Sequence, residues 1–221
     1  MSITDNTEGN TEMRSGQREN RKRARRVLVC AGGAYLAYSL PGFILHLLRH
    51  FADDVQVVLS RSAAKMVSPY AVEVASRNRV FVEMDDHGDG VYVPHIELGR
   101  DAELIIVYPA TVNILGKVAN GIADELISAL ILATELPVLF VPIANPAMID
   151  HPAARRNIER LQSDGYLVLP PLSGPEVATR EGMELMNDPF PLPTLLLQMR
   201  AVLSDPKARG VVHRRQGRVP Q

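Results

Sequence analysis

The chain of 221 residues predicts an α/β fold of Rossmann-like (flavodoxin-like) type, a doubly wound parallel sheet in three α/β/α layers. Short, nearly continuous apolar runs alternate with segments of helical period, as is typical of parallel strands buried on both faces. Several of these runs end in glycine, serine or proline, the residues of tight strand-to-helix turns. Right-handed connections between such strands place helices on both faces of the sheet.

One domain is predicted at residues 26–204, between basic tails at residues 1–25 and 205–221. The first tail has no apolar period and is expected to be disordered. Basic runs of this kind are either solvated or contact an acidic peptide or another polyanion. The single cysteine, Cys30, lies inside the first apolar run, so a disulfide framework within the chain is excluded.

Composition excludes several functional classes. Tryptophan is absent and aromatic residues make up 5% of the chain, which argues against a base-stacking nucleic-acid surface. The longest apolar region, residues 126–144, is interrupted by Glu135, Pro137 and Pro142, which predicts a helix, a turn and a strand rather than a membrane span. The N-terminus has no secretory signal pattern. We therefore expect a cytoplasmic protein with neither nucleic acid nor a membrane as partner.

The first element is a strand at residues 27–31, which is followed directly by the turn Gly32-Gly33-Ala34. A helical segment then extends to His50, and Pro41-Gly42 interrupts it, which predicts either a kink or a late start of the helix. A strand, a glycine turn and a helix in this order present backbone N–H groups to a phosphate. The turn lacks a full G-x-G-x-x-G pattern, so an ordinary strand-to-helix connection is the alternative.

The second strand, residues 55–59, ends at Ser60-Arg61-Ser62. The two serine hydroxyls can donate to the same phosphate, or Ser62 can simply cap a helix that starts at Ala63. A helix at residues 69–76 and a short edge strand at residues 80–84 follow. The loop at residues 85–90 is acidic and has one histidine, which is not a zinc-type ligand set, and no metal site is predicted.

The next strand, residues 104–108, is predicted to break at Pro109. After a small turn, residues 112–134 form one amphipathic helical region that carries Asn120-Gly121 in its middle. Ligands of open α/β sheets lie at the carboxyl ends of strands, where the amide of Asn113 offers two donors and one acceptor. His95 follows Pro94 at a helix start, where a structural role is the ordinary alternative to a catalytic one.

The remaining elements continue the alternation. They are a strand at residues 138–141, a turn at residues 145–148, a helix at residues 152–163, a strand at residues 166–169 and a helix at residues 194–203. Residues 172–193 contain four prolines and two glycines without a regular period, which is typical of a lid or a binding loop.

Four stretches together resemble one family, the homo-oligomeric flavin-containing cysteine decarboxylases. They are Gly32-Gly33-Ala34; Pro94-His95-Ile96-Glu97-Leu98; Pro109-Ala110-Thr111-Val112-Asn113-Ile114 with Lys117-Val118-Ala119-Asn120-Gly121-Ile122-Ala123-Asp124; and Pro142-Ile143-Ala144-Asn145-Pro146-Ala147-Met148 with His151-Pro152. Their order and spacing match the family from about Arg26 to Pro171. Ile114 and Ala144 depart from it, because the family usually has threonine and methionine there.

The resemblance implies a domain that binds FMN at a subunit contact of a homotrimer, and such trimers often group into dodecamers. By position, the FMN phosphate and ribityl chain would meet Gly32, Gly33, Ala34, Ser60 and Ser62. The isoalloxazine and the substrate would lie along Thr111, Val112 and Asn113. His95 matches the active-site histidine and Asn113 the asparagine that binds the substrate carboxylate. A second substrate-binding motif is matched by Asn145 and Met148.

The chemistry of this family suits these residue types. Direct loss of CO2 from a C-terminal cysteine would leave an unstabilised carbanion. Oxidised flavin can instead take two electrons from the CH2–SH unit, and the resulting thioaldehyde accepts the charge as CO2 leaves, which yields an enethiolate. The neutral amide of Asn113 holds the carboxylate without strong ground-state stabilisation, and the imidazole of His95 can take the thiol proton at neutral pH.

Two branches of the family compete. Phosphopantothenoylcysteine decarboxylases of coenzyme A biosynthesis reduce the enethiol afterwards, and in that step a cysteine on the flap after the last strand acts as the acid. Here residues 172–193 contain no cysteine. The chemistry should therefore stop at the oxidised product, with molecular oxygen reoxidising the flavin. This favours the peptidyl-cysteine decarboxylases of lanthipeptide biosynthesis, which supply an aminoenethiol for an aminovinyl-cysteine ring.

The substrate would then be the C-terminal cysteine of a precursor peptide, which residues 172–193 would clamp. Other peptide-modifying enzymes are further candidate partners. Two alternatives stay open: a phosphopantothenoylcysteine decarboxylase, and a flavin-binding regulatory subunit without turnover.

Overall fold

The structure, a computed structural model, describes residues 23–87, 93–170 and 192–204. In these residues six parallel strands form one sheet in the order β3-β2-β1-β4-β5-β6. The strands are β1 (Ala24–Ala31), β2 (Ala52–Leu59), β3 (Val80–Phe81), β4 (Leu104–Ala110), β5 (Val138–Pro142) and β6 (Leu167–Val168). This is the strand order of Rossmann folds, so the predicted fold class is confirmed.

The helices of the described residues alternate with these strands. They are α1 (Leu40–His50), α2 (Pro69–Ser76), α3 (Pro94–Glu97), α4 (Val112–Ala119), α5 (Leu126–Ala133), α6 (Pro146–Asp150), α7 (Pro152–Ser163) and α8 (Leu192–Ser204), with short 3-10 helices at Tyr35–Ser39 and Ala63–Lys65. The predicted bounds of α2 and α7 are confirmed. Helix α1 does start late, with Pro41 in its first turn. Proline costs no hydrogen bond there, because the first N–H groups of a helix have no partner within the helix.

The side chains of β1 alternate between two apolar clusters, one on each face of the sheet. Val27, Val29 and Ala31 belong to the cluster that contains residues of α1, α2 and α8. Leu28 and Cys30 belong to the cluster that contains residues of α4, α5 and α7. All five side chains are fully buried, which explains why the sequence of β1 is a continuous apolar run. The three-layer prediction is thereby confirmed.

The first strand begins at Ala24, three residues before the predicted start. Its first residues are polar because they lie at the amino edge of the sheet, where each charge finds a partner. The Arg25 backbone N–H donates to a carboxylate oxygen of Glu103 at 3.0 Å, and the Arg26 side chain pairs with Asp54. The start of β1 was therefore missed, because the strand was predicted from its apolar run and Arg25 and Arg26 are not part of that run.

The predicted break of β4 at Pro109 is wrong. The strand continues through a cis Tyr108–Pro109 bond to Ala110, and its register against β5 shifts between Val107 and Ala110. Proline has no N–H for the ladder and is tolerated at such an irregularity. The Pro109 carbonyl still accepts the N–H of Gly32 at 2.9 Å, so the strand end stays joined to the glycine turn after β1.

The predicted single helical region at residues 112–134 is also wrong, because α4 and α5 are separated by residues 120–125. Gly121 has φ +70°, a left-handed conformation that glycine adopts without a steric penalty. The predicted turn at residues 145–148 begins α6, because the Asn145 side chain accepts the Ala147 N–H at 2.8 Å and caps that helix.

The C-terminal part of the chain is described in pieces. The last strand is shorter than predicted, and α8 begins two residues earlier than predicted. The predicted clamp lies outside the described residues except for Leu192 and Pro193, which open α8. Within the described ranges, no helix combines the length and apolar character that a membrane crossing requires.

Candidate active site

A cavity of about 650 Å³ opens at the carboxyl edge of the sheet, over β3, β2, β1 and β4. Each strand contributes the residues that follow it to the wall of this cavity. They are Gly33 after β1, Ser60, Arg61 and Ser62 after β2, Glu83, Met84 and Asp85 after β3, and Thr111 and Asn113 after β4. The strand order reverses between β1 and β4, and open α/β sheets bind ligands at that point. The volume lies within the usual range of small-molecule sites.

Backbone approaches backbone so closely at the glycine turn that no other residue fits. A Cβ atom on Gly32 would lie 2.7 Å from the Pro109 carbonyl oxygen and 2.9 Å from Cγ2 of Thr111. A Cβ atom on Gly33 would lie 2.2 Å from Cβ of Ser62. The turns after β1, β2 and β4 therefore meet at one place, as a phosphate-binding cradle requires.

The two serines after β2 have different roles. The hydroxyl oxygen of Ser60 accepts the N–H of Ala63 at 3.1 Å. Ser62 makes no capping hydrogen bond, so the interpretation of Ser62 as the cap of this short helix is wrong, and Ser60 takes that role. The hydroxyl of Ser62 and the N–H of Gly33 have no hydrogen-bond partner among residues 23–87, 93–170 and 192–204, and both are available to a ligand.

The turn after β4 aims an amide into the cavity. Thr111 is the N-cap of α4, because its hydroxyl oxygen accepts the N–H of Ile114 at 3.3 Å. Asn113 in the first turn is exposed to the cavity, and its side chain makes no hydrogen bond with the described part of the chain. Ile114, which lacks the hydroxyl usual in the resembled family, is 1% exposed and packs beneath Gly32.

Six charged side chains line the cavity, and sequence reasoning assigned a role to none of them. Lys117 lies 2.9 Å from a carboxylate oxygen of Asp124 and 3.1 Å from one of Glu125. Burial opposes the charge of Lys117, but the two carboxylates outweigh it and raise the pKa of the amine. Lys117 follows Asn113 by four residues, and this helical spacing is the signal that could have placed it at the site.

A second ion pair lies at the other side of the cavity. The Nε of Arg61 donates to both oxygens of Glu83, at 2.7 and 2.8 Å, and Nη2 donates to one of them. The hydrogen bond from Arg61 holds the pKa of the Glu83 carboxyl below its ordinary value. These residues follow different strands, and no sequence pattern connects them.

The predicted catalytic histidine and the second predicted substrate-binding motif lie outside the cavity of a single chain. His95 is in α3, which packs against α5, and it does not line the cavity, although Leu126 and Ile127 of α5 do. The Nδ1 of His95 is buried without a hydrogen-bond partner in the described ranges. Asn145 and Met148 lie after β5, where Asn145 caps α6 and Met148 is 53% exposed.

Of the predicted cofactor set, Gly33, Ser60, Ser62, Thr111 and Asn113 line the cavity. Gly32 lies beneath it, and Ala34 and Val112 are not in its wall. The lining suits a flavin nucleotide in two ways. The glycine and serine turns supply small groups and free donors for a phosphate, and Leu59, Ile114, Leu126 and Ile127 supply apolar surface for a ring system.

Comparison with known proteins identifies the family of this chain. Residues 15–190 match the family described as Flavoprotein. The chain is 38% identical over 150 residues to the coenzyme A biosynthesis bifunctional protein CoaBC of Bacillus subtilis, which covers 68% of this chain and 37% of that protein. It is 34% identical over 187 residues to the phosphopantothenoylcysteine decarboxylase of Mus musculus, at 81% and 87% coverage. The chain spans about two fifths of the bifunctional relatives that it matches, 37% and 41% of the first two.

Solved structures with a similar fold are consistent with this family. The FMN-dependent cysteine decarboxylase TvaF from thioviridamide biosynthesis has a TM-score of 0.61 and 28% identity, over 66% of this chain and 90% of that one. The peptidyl-cysteine decarboxylase EpiD has a TM-score of 0.60 and 25% identity, over 67% and 88%.

A Rossmann strand order with a glycine-walled cavity at the switch point defines a nucleotide-binding protein. The chain belongs to the flavoprotein family. The predicted relationship to the flavin-containing cysteine decarboxylases is confirmed, and so is the predicted flavin cofactor, which in the neighbour TvaF is FMN, as the sequence predicts.

Proposed function

We propose that this chain binds FMN and catalyses the oxidative decarboxylation of the C-terminal cysteine of a precursor peptide to an aminoenethiol. The observation that carries this proposal is the free amide of Asn113 in a cavity that also contains the glycine and serine cradle. The cradle would hold the phosphate and ribityl chain, and bound oxidised FMN would supply the acceptor for two electrons from the CH2–SH unit.

Asn113 would bind the carboxylate that leaves as CO2. Its two N–H donors have no partner in the part of the chain that the structure describes, and the nearby Lys117 already contacts Asp124 and Glu125. A neutral donor orients the carboxylate without the strong ground-state stabilisation that a free cation would add, which favours the step in which the charge leaves this position. Thr111 supports Asn113 indirectly, because its hydroxyl caps α4 and fixes the start of the helix.

His95 would take the thiol proton, as the resemblance implies. Within one chain His95 does not line the cavity. We therefore extend the proposal to a homo-oligomer, a trimer or a dodecamer built from four trimers, in which His95 of one subunit reaches the cavity of its neighbour. In support of this proposal, Nδ1 of His95 is buried and has no hydrogen-bond partner among the described residues.

The reaction would stop at the oxidised product. Cys30 is the single cysteine of the chain, and it is fully buried in the middle of the sheet. Burial raises the pKa of its thiol, so it cannot supply a proton to an enethiolate. This absence of an accessible thiol acid favours a peptidyl-cysteine decarboxylase, and residues 172–193 would clamp the peptide. An aminoenethiol product would serve aminovinyl-cysteine formation in lanthipeptide-type biosynthesis.

A second candidate is phosphopantothenoylcysteine decarboxylation. It is favoured by the 34% identity to the mouse enzyme of that name over 87% of its length. Both candidates use the same cavity and differ in what the cysteine is attached to and in the reduction of the product.

The decisive experiment is to incubate the purified full chain with synthetic cysteine-ended peptides and, separately, with phosphopantothenoylcysteine, and to weigh the products. The protein should be yellow, and a peptide should lose CO2 and two hydrogens. Excluding oxygen should limit the reaction to about one turnover, because oxygen reoxidises the flavin. Loss of CO2 alone from phosphopantothenoylcysteine, with no peptide consumed, would establish the second candidate. Bound flavin without any turnover would indicate a regulatory subunit.

A further inference from the structure

We propose that Arg61, held by Glu83 at the mouth of the cavity, binds the phosphate group of the flavin and makes this chain select FMN over phosphate-free riboflavin. The inference rests on the proposed FMN site and adds a residue to it. Arg61 lies between Ser60 and Ser62, directly beside the place where Ser62 meets Gly33.

The guanidinium is fixed on one edge and open on the other. Nε and Nη2 donate to the Glu83 carboxylate, at 2.7 Å for the shortest Nε bond. Nη1 makes no hydrogen bond with the described residues, and the side chain is 78% exposed. Glu83 therefore orients a planar donor group and leaves one amine for an anion. A guanidinium presented in this way suits a phosphate oxygen.

The wall of the cavity carries more carboxylates than cations, so a phosphate needs a cation beside it. Four carboxylates and two cations line it: Glu83, Asp85, Asp124 and Glu125 against Arg61 and Lys117. Lys117 is shared between two carboxylates, whereas Arg61 contacts one. A phosphate monoester carries close to two negative charges at neutral pH, so a wall with excess carboxylates repels it unless a cation stands beside it.

The neutral groups of the cradle select less strongly. The Gly33 N–H and the Ser62 hydroxyl donate more strongly to a charged phosphate oxygen, but they can also donate to the terminal hydroxyl of riboflavin. A positive charge discriminates between FMN and riboflavin, because it attracts the phosphate group that only FMN carries. Arg61 is the charged group that directly flanks the cradle in sequence and lines the same wall.

The test compares FMN and riboflavin on the flavin-free full chain, with quenching of flavin fluorescence as the readout. Arg61→Gln should weaken FMN about tenfold, as expected for a charge-assisted bond at a partly solvated position, and change riboflavin less than twofold. Glu83→Gln should keep the preference for FMN, because the guanidinium stays charged. Arg155→Gln removes another exposed ion pair, with Asp150, outside the cavity, and should change neither affinity.

Three results would overturn the inference. Arg61→Gln could leave FMN binding unchanged, it could weaken both flavins equally, or Arg61→Gln and Glu83→Gln could have the same effect, which would mean that Arg61 only pairs with Glu83. Circular dichroism of each variant separates these results from misfolding, and Arg61→Lys, which keeps the charge and loses the fork, should fall between. Failure of the unsubstituted chain to bind FMN would instead refute the proposed function itself.

Discussion

Asn113 and Lys117 lie one helical turn apart on α4 and line the same cavity, yet only Lys117 has partners among the described residues. Lys117 contacts Asp124 and Glu125 and so fastens the segment between α4 and α5 to the helix. Asn113 keeps its donors free. One face of one helix therefore carries a charge with two partners and an amide with none in the described ranges, and substitutions at the two positions should have different consequences.

Replacing Asn113 with aspartate keeps the size of the side chain and adds a negative charge beside the substrate carboxylate. We expect kcat/KM for a cysteine-ended peptide to fall about 10²-fold or more, because juxtaposed like charges cost several kcal/mol. FMN should stay bound. Turnover is followed by product mass and FMN by its absorbance. Asn157→Asp is the control, since Asn157 lies on α7 and accepts from Asn120 away from the cavity. Equal turnover in Asn113→Asp would show that Asn113 does not hold the carboxylate.

Replacing His95 with asparagine should leave FMN bound and reduce turnover about 10²–10⁴-fold, the usual contribution of general-base catalysis. His50→Asn is the matched control, because His50 ends α1 and is not part of the cavity wall.

If the site is shared between subunits, mixing should restore activity. Subunits with His95→Asn and subunits with Asn113→Asp, unfolded and refolded together in equal amounts, should recover roughly a quarter of the wild-type activity, because half of the cavities have Asn113 and half of their neighbours supply His95. An inactive mixture of correctly assembled subunits would contradict the shared site.

Gly33→Ala should abolish FMN binding and lower the free energy of unfolding by about 1–3 kcal/mol, the usual range for forcing an extra methyl into packed structure. The added methyl would meet Cβ of Ser62 at 2.2 Å, so the turns after β1 and β2 would have to move apart. Gly42→Ala is the control, because its Cβ would meet nothing within 4 Å and alanine favours a helix. Denaturant unfolding and a flavin titration measure both effects. Normal FMN binding by the Gly33→Ala protein would show that the glycine turn is not part of the FMN site.

The sequence predicted best where the signals are local. The bounds of α2 and α7 follow from a proline in the first turn of each helix. The split between α4 and α5 has a local signal too, Asn120-Gly121, but these residues were placed inside one helical region although Asn120 and the left-handed Gly121 end α4. The extension of β4 was missed because it depends on the Pro109 carbonyl receiving Gly32, which is remote in sequence.

The same limit applies to the site. Gly33, Ser62 and Asn113 each follow a strand, and strand ends meet at one edge, so their proximity follows from the fold class. Arg61 and Glu83 are 22 residues apart and meet because β2 and β3 are neighbours, which no local pattern indicates. The distance of His95 from the cavity depends on how α3 packs against α5.

The proposed peptide clamp can be tested by deletion with attention to α8. Leu195 and Met199 of α8 are buried in the core cluster with α1, so a deletion that includes Leu192 and Pro193 would damage the fold. Removing residues 172–191 and joining the ends with a short glycine-serine linker should abolish peptide turnover and leave FMN binding intact. The control replaces the same residues with a glycine-serine segment of equal length, which keeps the spacing and should also be inactive if side chains make the clamp. Unchanged peptide kinetics in either variant would refute the assignment.

The pair between Lys117 and Asp124 should make stability depend on pH in one direction. The hydrogen bond from Lys117 holds the pKa of Asp124 below its ordinary value of 3.8, so the folded state binds a proton less readily than the unfolded state. A carboxylate whose pKa is lowered in the folded state stabilises the fold fully at pH values above its unfolded-state pKa. It loses that contribution as the pH falls through its folded-state pKa.

Urea unfolding should therefore show that Asp124→Asn is less stable than wild type by a constant margin from pH 7 to about pH 5, and this margin should shrink below about pH 4. A margin for Asp124→Asn that stays constant down to pH 3 would mean that Lys117 holds the loop through Glu125 alone.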